Sequence, residues 1–373
     1  MLKALIVGGG IGGLSAAISL KKAGLQVEVV EISPGRDVYH VGIIVQANFI
    51  RALDRLGIAD AAIARGFPYD GFDLRDANGQ LLKHIPGVAL SHPNHPTDLG
   101  LTRPALHDIL IEKCISEGVT PRYGVTFSAI QQDADGVDVS FTDGTRGRYD
   151  LVIGADGIYS KVRDTLFTPG LKPKYTGQAV WRYNLPRSSD ITRTALYQGV
   201  SGGKAGYCPL TEETMYLLLV MREADNRRIP KDELPGLFKD RLKEFGGRIG
   251  EIRDTVDFDP EKIVYRPLEA LFLNESWYRG RVLLIGDAAH ATTPHLGQGA
   301  AQAVEDAVTL GQLLKDNDSV EEVFAQFMDK RFERCKFIWE SSIQIGQWEI
   351  DDDPDADVEG LSIKMLKNVS API

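Results

Sequence analysis

Asp287 places a carboxylate directly after residues 282–285, a short apolar run that is typical of a parallel strand buried on both faces. In open α/β sheets ligands bind at the carboxyl ends of the strands, which makes Asp287 a candidate contact. From Gly299 small apolar residues recur at helical spacing, and Gly297 and Gln298 open that helix. Its free N–H groups and positive dipole end would attract an anionic ring or phosphate. Together these features predict a cofactor site.

A second candidate site opens the chain. Residues 3–7 predict a buried strand, and Gly8, Gly10 and Gly13 follow with the G-x-G-x-x-G spacing of a dinucleotide fingerprint. Glu31 ends the next predicted strand, where it can accept hydrogen bonds from both hydroxyls of a ribose. An acid there favours the unphosphorylated adenosine ribose of FAD or NAD. The alternative is a tight turn between strand and helix that binds nothing.

A third strand is predicted at residues 151–154, and Asp156 and Gly157 follow it. An acid therefore again stands at the carboxyl end of a predicted strand, which favours one shared binding edge. Arg103 lies at the start of a predicted helix that has Pro104 in its first turn. It is either a surface arginine or a donor to a phosphate or flavin, and the sequence leaves both readings open.

The pattern changes to an antiparallel sheet after residue 177. The predicted strands span residues 178–185, 195–198, 205–209 and 215–221, and a helix is predicted near 234–245. The turn Asn78-Gly79 predicts a hairpin over residues 72–85 that belongs to the same inserted sheet. Projecting polar and aromatic side chains are candidates to line a substrate cavity. The alternative is that they only occupy the solvent-exposed face that any such sheet has. They are Gln178, Trp181, Arg182, Tyr183, Gln198, Lys204, Tyr207 and Tyr216.

Composition and charge exclude several classes of protein. The 373 residues are 43% hydrophobic and 25% charged, as in a globular protein of two or more domains. A net charge of -10 disfavours nucleic acid or an anionic membrane as partner. The cysteines Cys114, Cys208 and Cys335 are widely spaced, so neither a disulfide framework nor a metal site is predicted. We find no signal sequence and no membrane segment, and expect a cytoplasmic protein.

Three motifs, in this order, resemble the signatures of single-component (group A) flavin-dependent aromatic monooxygenases, the para-hydroxybenzoate hydroxylase family. They are Gly8 to Gly13 with Glu31, Asp156-Gly157 with Ser160 and Arg163, and Gly286-Asp287 through Pro294 to Gly299. The resemblance spans about residues 1–314 and is nearest to salicylate, hydroxynicotinate and urate hydroxylase-like members. It implies an α/β fold, with a Rossmann-like FAD-binding domain on a parallel sheet and an inserted antiparallel-sheet substrate domain. One departure is His40-Val41, where relatives often have a Gly-Ala pair.

The resemblance also implies how FAD is bound. Glu31 would hold the adenosine ribose, Arg103 the pyrophosphate and ribityl chain, and Asp287 the ribityl hydroxyls or phosphate. Pro294 and residues 296–299 would border the flavin ring, and Asp156 and Gly157 belong to a motif linked to FAD and the nicotinamide nucleotide. The expected FAD contacts are Gly8, Gly10, Ile11, Gly13, Glu31, Arg103, Asp156, Asp287, Gly297, Gln298 and Gly299.

The implied activity is reduction of FAD by NADH or NADPH, formation of a flavin C4a-hydroperoxide with O2, and hydroxylation of a small phenolic or N-heteroaromatic compound. The sequence has no second complete strand-glycine-helix unit, so NAD(P)H would bind transiently. Candidates to position the substrate, act as general base or border the flavin are Tyr216, Lys204, Tyr207, His295 and Pro294. The alternatives are a non-oxygenating reductase or oxidase of the same fold and a non-catalytic nucleotide-binding protein.

The expected domains are discontinuous. The FAD-binding domain comprises residues 1–71, 99–175 and 267–345, and the substrate domain comprises residues 72–98 and 176–266. A charged helix is predicted at 320–339. Residues 346–373 are expected to form an acidic tail, solvated at 351–357, with a short helix or edge strand at 361–369. A small aromatic substrate and O2 are the expected partners, and a homodimer is the candidate assembly.

Overall fold

A computed structural model describes residues 1–36, 40–317 and 319–373. The strands are β1 (Lys3–Val7), β2 (Gln26–Glu31), β3 (Gly42–Gln46), β4 (Phe67–Tyr69), β5 (Phe72–Arg75), β6 (Leu81–Ile85), β7 (Asp98–Thr102), β8 (Arg122–Tyr123), β9 (Phe127–Gln132), β10 (Val137–Phe141), β11 (Arg146–Tyr149), β12 (Leu151–Gly154), β13 (Lys174–Pro186), β14 (Thr194–Gln198), β15 (Lys204–Pro209), β16 (Thr214–Arg222), β17 (Val264–Ala270), β18 (Tyr278–Arg279) and β19 (Val282–Leu284). The helices are α1 (Ile11–Lys22), α2 (Ala47–Leu56), α3 (Ala59–Arg65), α4 (Arg103–Ser116), α5 (Lys161–Leu166), α6 (Leu234–Arg241), α7 (Gly247–Thr255), α8 (Asp287–His290), α9 (Gly299–Asp316), α10 (Val320–Asp351) and α11 (Val358–Ser370). A 3-10 turn, Pro294–Leu296, connects α8 to α9.

A largely parallel sheet has the strand order β18-β19-β12-β1-β2-β8. Val7 of β1 lies beside Gly154 of β12, which lies beside Leu284 of β19. The three motifs that follow these strands therefore meet at one edge, as the sequence predicts. The buried core beneath this edge combines these apolar strands with α1 and α9, which pack against each other.

A mixed sheet with the order β17-β13-β16-β15-β14-β5-β6 contains the predicted antiparallel strands and the predicted hairpin. Its neighbours pair antiparallel except β14 and β5, which are parallel. The helices α6 and α7 cover one face and bury a core that includes Trp181, Phe238 and Ile249. The opposite face remains available to line a cavity. The parallel sheet and this second sheet confirm the predicted fold class.

The C-terminal region differs from a solvated tail. Helix α10 continues to Asp351, beyond the predicted end at residue 339, because apolar residues keep recurring at helical spacing and Ile345 is buried. Helix α11 then packs Met365 and Val369 against Leu296 of the 3-10 turn. The expectation of an acidic tail over residues 346–373 is thus corrected, and of its two alternatives for residues 361–369 the helix is the one observed. Although α10 has 32 residues, no helix among the described residues combines the length and apolar character needed to cross a membrane.

Candidate FAD and substrate site

A cavity of about 1820 Å³ is lined both by the carboxyl edge of the parallel sheet and by the uncovered face of the antiparallel sheet. Pockets for one small ligand commonly measure about 300–1,000 Å³. This cavity is therefore large enough for a dinucleotide and a second small molecule beside it.

The glycine turn brings the backbone close to this cavity. A Cβ atom on Gly8 would lie 2.3 Å from the carbonyl oxygen of Ala155, and one on Gly13 would lie 1.9 Å from that of Gly8. These two glycines permit the tight turn, whereas Gly10 and Ile11 line the cavity. Helix α1 begins at Ile11 without a side-chain cap, so its first N–H groups are available to a phosphate.

Glu31 lines the cavity at the end of β2, and backbone donors fix its carboxylate. Its Oε2 accepts a hydrogen bond from the N–H of Gly9 at 2.6 Å, and its Oε1 accepts one from the N–H of Ser33 at 2.8 Å. Each carboxylate oxygen has a further lone pair. Glu31 can therefore still accept hydrogen bonds from ribose hydroxyls.

Arg103 and Asp287 begin α4 and α8, and both line the cavity. The Asp287 side chain is accessible to solvent where it lines the cavity, although protein surrounds it. Burial raises its pKa, and the nearby charges of His290 and Arg103 oppose that rise. Burial lowers the pKa of Arg103, and the nearby Asp287 and Tyr216 oppose this decrease. The pair offers an acceptor for hydroxyl groups and a donor for phosphate at one edge.

The start of α9 also faces the cavity. Pro294 opens the 3-10 turn, and Gly297, in the left-handed conformation (φ 66), leads into the helix. Pro294, Gly297 and Gly299 line the cavity, but the Gln298 side chain is fully buried. Its amide exchanges hydrogen bonds with Asn48, at 2.9 and 3.1 Å. The Gln298 side chain therefore anchors the helix start, and the uncapped N–H groups of α9 are what face a ligand.

The carboxylate of Asp156 is directed away from the cavity. Its Oδ2 accepts hydrogen bonds from the backbone N–H groups of Lys161 at 2.8 Å and Val162 at 3.0 Å, and its Oδ1 accepts one from the Ser160 hydroxyl. It therefore caps the N-terminus of α5. Asp156, an expected FAD contact, is therefore not among the residues that line the cavity, whereas its neighbour Gly157 is.

The second wall of the cavity follows from the register of the mixed sheet. Arg182 of β13 pairs with Leu218 of β16, and two residues along these strands Asn184 pairs with Tyr216. Arg182, Tyr216 and Lys204 all line the cavity. Between them lies an apolar surface formed by Val180, Leu196, Leu218 and Val220. The wall therefore suits a flat apolar ring with polar substituents at its edges.

Burial controls the ionisation of this wall. It lowers the pKa of Arg182 to about 10, an effect that Tyr216 opposes and Arg103 reinforces. It also raises the pKa of Tyr216. At neutral pH Arg182 is therefore cationic and Tyr216 keeps its phenolic proton.

Tyr207 projects from the opposite face of the sheet. Side chains alternate along a strand, so Lys204 and Tyr207, three positions apart on β15, point to opposite faces. Tyr207 packs in the core under α6 and α7, with its ring 6.1 Å from that of Tyr197. The expectation that Tyr207 positions the substrate is wrong for this reason, and Trp181 and Tyr183 lie in the same core.

His295 lines the cavity, but both of its ring nitrogens have partners. Its Nδ1 lies 2.8 Å from the Thr293 hydroxyl and its Nε2 lies 3.1 Å from Oε2 of Glu349. The ammonium group of Lys204 donates to Oε1 of Glu349 at 2.6 Å. Sequence reasoning missed Glu349 because it assigned residues beyond 345 to a tail. The helical spacing of apolar residues past position 339 is the signal that would have found it.

Comparisons with known proteins agree with this geometry. A family model described as an FAD binding domain matches residues 1–318. A Bacillus subtilis (strain 168) protein named as an FAD-dependent monooxygenase, YetM, is 30% identical over 95% of each chain. The 2-heptyl-3-hydroxy-4(1H)-quinolone synthase of Pseudomonas aeruginosa is 33% identical over 92% of this chain and 90% of its own.

A solved structure shares the whole fold. Klebsiella pneumoniae HpxO, crystallised with FAD and uric acid, superposes with a TM-score of 0.88 at 23% identity, over 100% of this chain and 97% of its own. The uncapped starts of α1 and α9, the fixed Glu31 carboxylate and the Arg103–Asp287 pair fit a bound FAD, which is the cofactor. The chain belongs to the FAD-binding-domain family and, within it, to the FAD-dependent aromatic monooxygenases that resemble para-hydroxybenzoate hydroxylase.

Proposed function

We propose that this protein is a monooxygenase that uses FAD, NAD(P)H and O2 to hydroxylate a small phenolic or N-heteroaromatic compound. The observation that carries the proposal is the single cavity that joins the dinucleotide edge to an apolar wall with cationic margins. The likeness to a quinolone synthase and to HpxO, crystallised with uric acid, supports a flat ring as substrate.

The protein's task is to bind and orient two molecules. When bound, FAD supplies the redox chemistry, because it accepts electrons from NAD(P)H and activates O2. Glu31 binds the adenosine ribose, Arg103 binds the pyrophosphate and ribityl chain, and Asp287 binds ribityl hydroxyls. The N-termini of α1 and α9 stabilise the negative charges of the phosphates and of the ring system.

The antiparallel wall prepares the substrate. Oxygen transfer needs an electron-rich ring carbon, and loss of a proton from a ring hydroxyl to solvent supplies it. The cations Lys204 and Arg182 stabilise the resulting anion. Tyr216 keeps its proton and holds a ring oxygen by a hydrogen bond. His295 positions the turn that borders the flavin, since both its nitrogens are engaged.

The proposal includes the domain division made from the sequence, with FAD bound by residues 1–71, 99–175 and 267–345 and substrate bound by 72–98 and 176–266. It adds residues 346–351 of α10 to the site, because Glu349 contacts Lys204 and His295. A homodimer and a cytoplasmic location stay predictions.

Purification and turnover assays test the proposal. We expect a yellow protein whose oxidation of NADH or NADPH is stimulated by at least one member of a panel of salicylate, hydroxynicotinate, hydroxybenzoates and urate. Hydroxylated product should account for most of the coenzyme consumed. A colourless protein that never binds FAD would favour a non-catalytic nucleotide-binding protein. Stimulated oxidation that gives only hydrogen peroxide would favour the non-oxygenating alternative for those compounds.

A further inference from the structure

Glu349 joins two strands of one sheet, β13 and β15, to the 3-10 turn on the other wall of the cavity. Its Oε1 accepts a hydrogen bond from Lys204 on β15 at 2.6 Å. Its Oε2 accepts one from Gln178 on β13 at 2.9 Å and lies 3.1 Å from Nε2 of His295 on the 3-10 turn. The Glu349 side chain is 16% exposed and that of His295 is fully buried. The acid therefore connects the substrate wall to the turn beside the flavin.

Close backbone packing fixes this carboxylate. A Cβ atom on Gly202 would lie 1.9 Å from the carbonyl oxygen of Glu349. One on Gly346 would lie 2.9 Å from both His295 Cε1 and Gln178 Oε1. Glycine at both positions lets the last turns of α10 approach the sheet and the 3-10 turn closely. Glu349 is thus held by the helix backbone as well as by its own hydrogen bonds.

The charges in this cluster are complementary. Burial opposes ionisation of Glu349, but Lys204 and His295 outweigh it and lower the pKa of Glu349 to about 2. Burial and Lys204 lower the pKa of His295, which is therefore neutral at pH 7. A neutral imidazole carries one ring proton, and a carboxylate can only accept. His295 therefore donates from Nε2 to Glu349 and accepts at Nδ1 from the Thr293 hydroxyl.

On the basis of the proposed function, we propose that Glu349 is a positioning residue for oxygen transfer. It ties Lys204 on the substrate wall to His295 on the flavin-facing turn, and so sets where the substrate ring lies relative to the reacting position of the cofactor. Small errors in such a separation cost large factors in rate, because the reacting atoms must meet within about 3–3.5 Å. We call the contact of Glu349 with Lys204 and His295 the clamp. If the clamp were loosened, electrons from NAD(P)H would pass to O2 and give hydrogen peroxide without hydroxylated product.

Substitutions at Glu349 test the clamp in the FAD-bound enzyme. Glu349→Met removes both hydrogen-bond acceptors at similar length, and Glu349→Gln keeps an acceptor but removes the charge. The matched control is Glu340→Gln, an exposed acid on the same helix. We expect all three to retain FAD. The hydroxylated fraction of the coenzyme consumed should fall about five-fold or more in Glu349→Met and by less in Glu349→Gln, with no change in the control. An unchanged hydroxylated fraction in Glu349→Met would overturn the proposal. If Glu349→Met does not fold, an unchanged fraction in Glu349→Gln would do so.

A double substitution separates positioning from general damage. If Glu349 acts through Lys204, adding Glu349→Met to Lys204→Met should lower the hydroxylated fraction by less than about two-fold. Equal losses in both backgrounds would show that Glu349 acts independently of Lys204, and would refute the clamp.

Nitrogen NMR of His295 gives a readout that needs no substrate. In the wild-type holoenzyme, ¹⁵N-histidine spectra assigned with His295→Gln should show the Nε2-protonated tautomer, and Glu349→Met should shift both ring nitrogens. Unchanged His295 signals would overturn the contact. If the wild-type enzyme hydroxylates nothing, the proposed function fails while the NMR result still decides whether Glu349 holds His295.

Discussion

The two walls of the cavity are built by different means. The dinucleotide wall is mostly backbone: the glycine turn and the uncapped starts of α1 and α9 present N–H groups, and Glu31 is fixed by two more. The proposed substrate wall is formed by side chains on a sheet, where Lys204 and Tyr216 face the cavity and Tyr207 lies in the core on the opposite face. A site lined by closely packed backbone has no room for an added side chain. In a site lined by side chains of a sheet, the strand register decides which residues face the cavity. Four experiments test this contrast.

Gly13→Ala should have the largest effect. The new methyl group would lie 1.9 Å from the carbonyl oxygen of Gly8, and overpacking of this kind costs about 1–3 kcal/mol or more. We expect a marked fall in thermal stability and loss of most bound FAD, measured by unfolding scans and flavin absorbance. The control is Gly236→Ala in α6, where a Cβ meets nothing within 4 Å and stability should rise by up to about 1 kcal/mol. Normal FAD content in the Gly13→Ala protein would contradict the claim that the glycine turn has no room for an added methyl group.

Asp287→Ala should weaken FAD binding without unfolding the protein. The carboxylate projects into the cavity beside Arg103, and loss of a charged hydrogen-bond partner costs about 1.5–3 kcal/mol. The FAD dissociation constant should therefore rise about ten-fold or more, as measured by fluorescence titration of the apoprotein. Unchanged flavin affinity would show that Asp287 does not contribute to FAD binding.

Tyr216→Phe and Tyr207→Phe form a matched pair on the substrate wall. Removing the Tyr216 hydroxyl should lower kcat/KM for hydroxylation about two- to ten-fold, because one hydrogen bond contributes roughly 0.5–1.5 kcal/mol. Tyr207→Phe should leave kcat/KM unchanged, since its ring lies in the core on the other face. Steady-state kinetics with the best substrate of the panel decides the matter. Equal losses of kcat/KM in the two variants would mean that the strand register does not decide which tyrosine contacts the substrate.

Asp156→Ala should have the smallest effect on FAD. The carboxylate caps α5 through Lys161 and Val162, and loss of such a cap costs about 0.5–2 kcal/mol of stability. Chemical denaturation should detect that loss, while the FAD affinity of the folded protein stays within about two-fold of wild type. A loss of affinity as large as that of Asp287→Ala would restore Asp156 as a cofactor contact.

The contrast between the walls also explains what was predictable. Gly8, Gly13 and Glu31 were identified correctly as parts of one turn and strand because local backbone geometry specifies them. The acid-after-strand pattern was the same for Asp156 and Asp287, yet only Asp287 faces the cavity. The Asp156 carboxylate accepts hydrogen bonds from the first N–H groups of α5, whereas Asp287 is itself the first residue of α8 and makes no such cap.

The sequence by itself predicted the fold class and the sheet edge that lines the cavity, because strands, glycine turns and helix starts are specified by residues close together in the chain. The choice of FAD as cofactor came from the resemblance of the three motifs to a known family. Tertiary structure alone decided which tyrosine faces the cavity, because pairing with neighbouring strands fixes which side chains of a strand point to each face. It also brought Glu349 to Lys204, 145 positions apart in sequence. No local pattern encodes that contact, since it depends on how the end of α10 packs between the sheet and the turn at His295.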